Sequence, residues 1–218
     1  MLLVLVCSIP ARGRAEGGGA GPDAPAGKIE AVVTYLEGDV EIDGSICELG
    51  QIVPLGSTVK TGMEGSCEIS FGEQNIFRIE EDTITTISIG SGERNISIEK
   101  GAIDAIFERL SLIGGDNDKF RIQTPSVVAG VRGTVFYIKV EDPNITYLCT
   151  CYGTIHQEPA DGGSPEDVTS YHHAAYRYIK TPEGVKVEKA GLLYHDDEAM
   201  DGLGEKIDVK IPWGREPD

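Results

Sequence analysis

The chain has 218 residues, enough for one sizeable core or for a domain with an appendage. Its 36 acidic and 19 basic residues give a net charge of -17, which repels nucleic-acid phosphates and anionic membrane surfaces and so excludes nucleic acid as a partner. With 28 glycines against 5 phenylalanines and 1 tryptophan, the composition points to many short strands joined by tight turns.

Residues 1–11 (MLLVLVCSIPA) form an apolar run too short to span a bilayer, which takes about 20 residues. The run reads as the apolar part of an export signal, with small residues around Ala11 to Ala15 as a candidate cleavage site, although a basic leading segment is missing. The expectation is therefore an extracytoplasmic protein of the periplasm or cell envelope. Residues 1–15 would be a signal-peptide-like segment, either cleaved or kept as an N-terminal membrane tether. Residues 16–27 (EGGGAGPDAPAG) have the composition of a flexible linker.

From Lys28 onward short strands follow one another. Ala31 to Leu36 is the first, and Asp39 to Ile42 alternates polar and apolar residues as a half-buried strand does. Asp43-Gly44 supplies a hairpin turn. Alternation returns at Ser66 to Phe71, Phe77 to Ile79, Ile84 to Ile89 and Asn95 to Ile98. Later strands are expected at 119–123, 134–140, 146–151 and 177–179. Helices are expected only near Asp104 to Leu110 and near Asp196 to Leu203, where three carboxylates would complement the helix dipole. Turns every eight to twelve residues or so are the signature of a sandwich or barrel-like all-β fold. Residues 161–170 (DGGSPEDVTS) read as a polar loop. They divide a β domain, 28–160, from a small mixed extension, 161–218.

Two stretches carry a family resemblance. The first runs Glu37-Gly38-Asp39-Val40, Leu55-Gly56-Ser57-Thr58-Val59, Thr61-Gly62 and Phe71-Gly72. The second is Thr124-Pro125 followed by Val128-Ala129-Gly130-Val131-Arg132-Gly133-Thr134 and Phe136. Together, over about Lys28 to Ile155, they resemble the FecR domain. The resemblance implies an all-β, sandwich or barrel-like extracytoplasmic module of the kind found in regulators that relay transporter signals. It does not extend to the cytoplasmic anti-sigma segment. Read from the residues alone, Gly38, Gly50, Gly56 and Gly62 are expected to take positive φ at turns. Thr124-Pro125 is expected to end a strand, and Arg132 to pair with a buried group or face a partner.

The residues with most chemistry lie later. Cys149 and Cys151 share one face of a predicted strand, because side chains alternate with period two. All four histidines, His156, His172, His173 and His195, lie in the same C-terminal third. Thiolates and imidazoles are ligands for zinc, iron or copper. Cys149, Cys151, one of His172 and His173, and His195 are thus candidate ligands of a four-coordinate site, although the spacing matches no standard zinc pattern. The alternatives are buried small hydrophobes, a disulfide, or a cysteine nucleophile beside a histidine. No HExxH, nucleophile elbow or phosphate loop occurs. The expected function is a non-catalytic binding or scaffold module of the envelope, linked to signal sensing, with an envelope protein or glycan as partner. A metal- or haem-binding sensor or carrier is the alternative.

Overall fold

The computed structural model describes residues 29–90, 94–108, 110 and 120–216. The expected export segment, the linker and Cys7 lie outside the described residues.

The first half of the chain forms β1 (Ala31–Glu37), β2 (Val40–Ile42), β3 (Ser45–Ile46), β4 (Ile52–Val53), β5 (Ser57–Thr61), β6 (Ser66–Phe71), β7 (Asn75–Ile79), β8 (Ile84–Ile89) and the long β9 (Arg94–Phe107). Among the described residues, the second half forms β10 (Phe120–Gln123), β11 (Val127–Val131), β12 (Thr134–Asp142), the long β13 (Ile145–Pro159), β14 (Glu166–Ser170), β15 (Ala174–Thr181), β16 (Gly184–Ala190) and one helix, α1 (Asp197–Glu205). The expected all-β class holds.

The strands make two layers. The first is antiparallel, in the order β4-β1-β6-β7-β9-β12-β13-β15-β16. The second runs β3-β2-β5-β8-β9-β10-β11-β13-β14, with only β9 and β10 parallel. Strands β9 and β13 belong to both layers because each bends midway, at Gly101 (φ 87°) and Gly153 (φ 97°). A side chain at either bend would force its neighbours to shift: a Cβ on Gly101 would stand 2.1 Å from Thr83 Oγ1, and one on Gly153 2.7 Å from Thr134 Cγ2.

Between the layers lies the main core. All five phenylalanines, Phe71, Phe77, Phe107, Phe120 and Phe136, meet there with ring centroids 4.7 to 6.4 Å apart. A second apolar cluster covers the opposite face of the first sheet. Ile76, Ala102, Ile106, Val135, Tyr137 and Tyr147 pack there against Met200, Leu203 and Ile211 of a C-terminal strap, residues 191–214.

The strap explains a departure from the sequence reading. Residues 104–107, expected to start a helix, are the end of β9, every side chain from Ala102 to Phe107 being buried. A strand covered on both faces loses the alternation that identifies strands, so its apolar run reads as helical. Similarly, the expected polar loop at 161–170 ends in β14, which pairs with β13. Strands β14 to β16 lie beyond residue 160 and extend the same sheets. Gly38, Gly50 and Gly56 do take positive φ, and so do Asp43 and Gly44 in the hairpin; Gly62 does not. A Cβ there would crowd Asp39 Cβ at 3.1 Å. The helix expected at 196–203 forms as α1, with Asp196 as its N-cap accepting from the Ala199 amide at 2.9 Å.

Candidate metal centre

Cross-strand pairing aligns one row of side chains across the face of the first sheet beneath the strap. The pairs run Tyr35–Glu68, Glu68–Arg78, Arg78–Asp104, Asp104–Tyr137, Tyr137–Cys149 and Cys149–Ala175. At the β13 end of this row, a bulge sets Val135 opposite Tyr152 and Phe136 opposite Thr150, leaving Cys151 as the extra residue. A bulge re-aims the side chain it carries. The thiol of Cys151 accordingly lies beside that of Cys149, and both residues are fully buried.

Two more segments bring imidazoles to the thiols. His173 sits in the turn between β14 and β15 with φ 55°, a conformation few non-glycine residues adopt, and its amide bonds the Cys151 carbonyl at 3.0 Å. His195 belongs to the strap and follows Tyr194, which also has positive φ (68°). His173 Nδ1 lies 3.5 Å from Cys149 Sγ, and His195 Nε2 lies 3.2 Å from Cys151 Sγ. One ligand atom from each of Cys149, Cys151, His173 and His195 falls within 4.8 Å of every other.

The remaining ring nitrogens are held. His173 Nε2 meets Asp197 Oδ1 at 2.7 Å, and His195 Nδ1 meets the Leu193 carbonyl at 2.8 Å. A carboxylate or carbonyl on the second nitrogen orients a ligating imidazole and fixes which nitrogen faces the metal. The rings are also clamped by stacking. Tyr137 lies 4.5 Å from His195 at 7°, and Trp213 lies 5.2 Å from His173 at 26°.

Electrostatics favour a thiolate. A hydrogen bond from Cys151 holds the Cys149 thiol well below its usual range, against the opposing effect of burial and with help from His173 and His195. Burial raises Cys151. Burial also pulls His173 down, but its bonds to Cys149 and Asp197 outweigh that and raise it. Further along the row, burial and then the Glu80 charge push Asp104 up to about 7, and its Oδ1 has no hydrogen-bond partner.

Of the candidate ligands read from sequence, Cys149, Cys151, His173 and His195 converge. His172 does not join them; its exposed ring bonds Asp197 at 2.9 Å. His156 is elsewhere, paired with Asp167 at 2.6 Å. Asp197, Tyr137 and Trp213 escaped the sequence reading. Asp197 alone left a signal, as a first-turn carboxylate two residues after His195. Arg132 is exposed and lines a cleft of about 540 Å³ with Gln74, Tyr152, Asp208 and Lys210.

A family model matches the stretch that carries the thiols but not the one that carries the imidazoles. The "FecR protein" family model matches residues 57–151, which include Cys149 and Cys151 and stop short of His173 and His195. Two crystal structures of a "putative anti-sigma factor" from Parabacteroides distasonis ATCC 8503 are similar at 10% identity, with TM-scores of 0.49 and 0.48. The similarity covers 62% of this chain and 59% of theirs. No curated protein matches the sequence. Residues 57–151, 95 of the 218, are thus similar to the FecR protein family.

Proposed function

We propose that the chain is a non-catalytic binding and sensing module of the cell envelope, in which Cys149, Cys151, His173 and His195 hold one metal ion of the zinc class. The observation that carries this reading is the convergence of four ligand atoms, with the second nitrogen of each imidazole already engaged. Around a tetrahedral zinc ion, with bonds of about 2.3 Å to sulfur and 2.0 Å to nitrogen, ligand atoms stand about 3.3 to 3.8 Å apart. Two of the four sulfur–nitrogen distances, 3.2 and 3.5 Å, fit that size, and all four ligand atoms lie within 4.8 Å of one another. Two thiolates and two imidazoles suit zinc better than hard, oxygen-preferring ions. Four protein ligands leave no open position for substrate, which favours a structural or sensing centre over a catalytic one. The FecR domain supports the sensing role.

Elemental analysis of untagged protein tests the reading. About one zinc-class ion per chain is expected, falling to near zero in the double variant Cys149→Ser/Cys151→Ser. Metal-free protein that takes up no zinc in calorimetry contradicts it.

A second reading rests on the Cys149–His173–Asp197 chain, which has the order of a nucleophile, a base and its orienting carboxylate. Burial weighs against it, because Cys149 has no exposed surface for a substrate to reach. Rapid alkylation of Cys149 by iodoacetamide in metal-free folded protein, slowed in Asp197→Asn, would favour it.

A further inference from the structure

The ligands divide unequally between two parts of the chain. Cys149 and Cys151 stand on β13 and His173 beside β15, all fixed to the sheet. His195 comes from the strap. So does Asp197, which orients His173 and holds His172 as well. The strap runs out from Gly191 and crosses the sheet through Met200 and Leu203. It reaches Glu68 through Lys206, whose Nζ lies 2.6 and 2.7 Å from the two carboxylate oxygens and 4.5 Å over the Tyr35 ring. It then returns, so that Trp213 lies over His173 and the Gly214 amide bonds the Tyr171 carbonyl at 2.9 Å. Both its outward and its return limb are therefore anchored beside the same four-ligand cluster.

We propose that the metal ion acts as a clamp whose occupancy decides whether the strap, residues 191–214, lies docked on the sheet. This rests on the metal reading above and adds regulation to it. Binding free energy at a site assembled from separate segments is spent on holding those segments together. With the ion present, His195 and the Asp197–His173 pair pin the strap. With the ion removed, only the apolar contacts of Met200, Leu203 and Ile211 and the Lys206–Glu68 pair, which Lys206 makes while partly in water, oppose release. The released strap uncovers a face bearing Ile76, Ile106, Val135 and Tyr137 beside the carboxylates of Glu68 and Asp104. The sheet itself does not depend on the ion, because its main core lies on the other face.

Trp213 is the chain's single tryptophan and belongs to the strap, so its emission reports docking directly. The experiment uses the full chain, loaded with zinc and then treated with excess chelator, following Trp213 emission and amide hydrogen exchange together. On chelation, Trp213 emission should shift to the red and amides of 197–213 should exchange faster, while β9 and β12 stay protected. With free zinc at 100 times its dissociation constant, the docked population gains up to about 100-fold over the metal-free state. One equivalent of zinc restores both signals. The variant His195→Ala separates the two claims: it keeps three ligands on the sheet and should still bind zinc, more weakly, while its strap exchanges faster with zinc bound than that of the wild type. If zinc leaves the wild type, as elemental analysis shows, and neither signal changes, the clamp is refuted and the metal site stands. If the protein never takes up zinc, both fall.

Discussion

Asp104 offers the sharpest test of the energetics beneath the strap. Its carboxyl is almost fully buried, one oxygen lacks a partner, and its closest cation, Arg78 Nη1, is 3.9 Å away. Arg78 is spoken for at shorter range, with Nε and Nη2 at 3.0 and 2.8 Å from Glu68. Burial and the neighbouring Glu80 raise Asp104 from an unfolded value of 3.8 to about 7. The folded state thus binds the proton more tightly than the unfolded chain. Its contribution to stability is full below about pH 4 and is lost as pH rises through about 7. Three pK units correspond to about 4 kcal/mol in all, most of it falling between pH 5 and 8. Asp104→Asn keeps the shape and removes the titration. Urea unfolding of metal-free wild type and variant, in chelator at pH 5 and 8, should show the wild type losing on the order of 2 to 3 kcal/mol more than the variant. Titrations common to both proteins cancel in that difference. Parallel pH dependence in the two would refute the assignment of a neutral, buried Asp104.

Other outcomes follow from single contacts. Asp197→Asn removes the carboxylate that orients His173 without removing a ligand, so zinc affinity in a chelator competition should fall about 10- to 100-fold, with stoichiometry unchanged. Gly101→Ala forces a Cβ into Thr83 at the bend of β9 and a strained φ besides, so thermal or urea unfolding should register a loss of at least about 2 kcal/mol. Lys206→Met leaves Glu68 with Arg78 as its remaining partner. Because Lys206 is 40% exposed, the loss should stay near 1 kcal/mol, and it should shrink in high salt.

How much of this was legible in sequence depends on the range of the interaction. Cys149 and Cys151 could be placed on one side of a strand from period two alone. The bulge that turns Cys151 toward Cys149 depends on pairing with Val135 and Phe136 and leaves no local trace. The histidines could be nominated by residue type. Choosing His173 over His172 required the turn geometry that gives His173 its positive φ. The strand Ile84–Ile89, with one outward face, alternates over its full length and is legible at its true limits. The stretch at 104–107 misled because the strap buries its second face, a fact encoded about 100 residues downstream at Met200 and Leu203. Asp197 and Trp213 stayed hidden for the same reason: their roles exist only once the strap has folded back.

A metal ion between Cys149, Cys151, His173 and His195 would be held by two sulfurs and two nitrogens. Zinc K-edge X-ray absorption on the zinc-loaded protein measures those ligands directly. Two sulfur scatterers at about 2.3 Å and two nitrogen scatterers at about 2.0 Å are expected. A shell of oxygen and nitrogen alone, with no sulfur, would contradict that coordination.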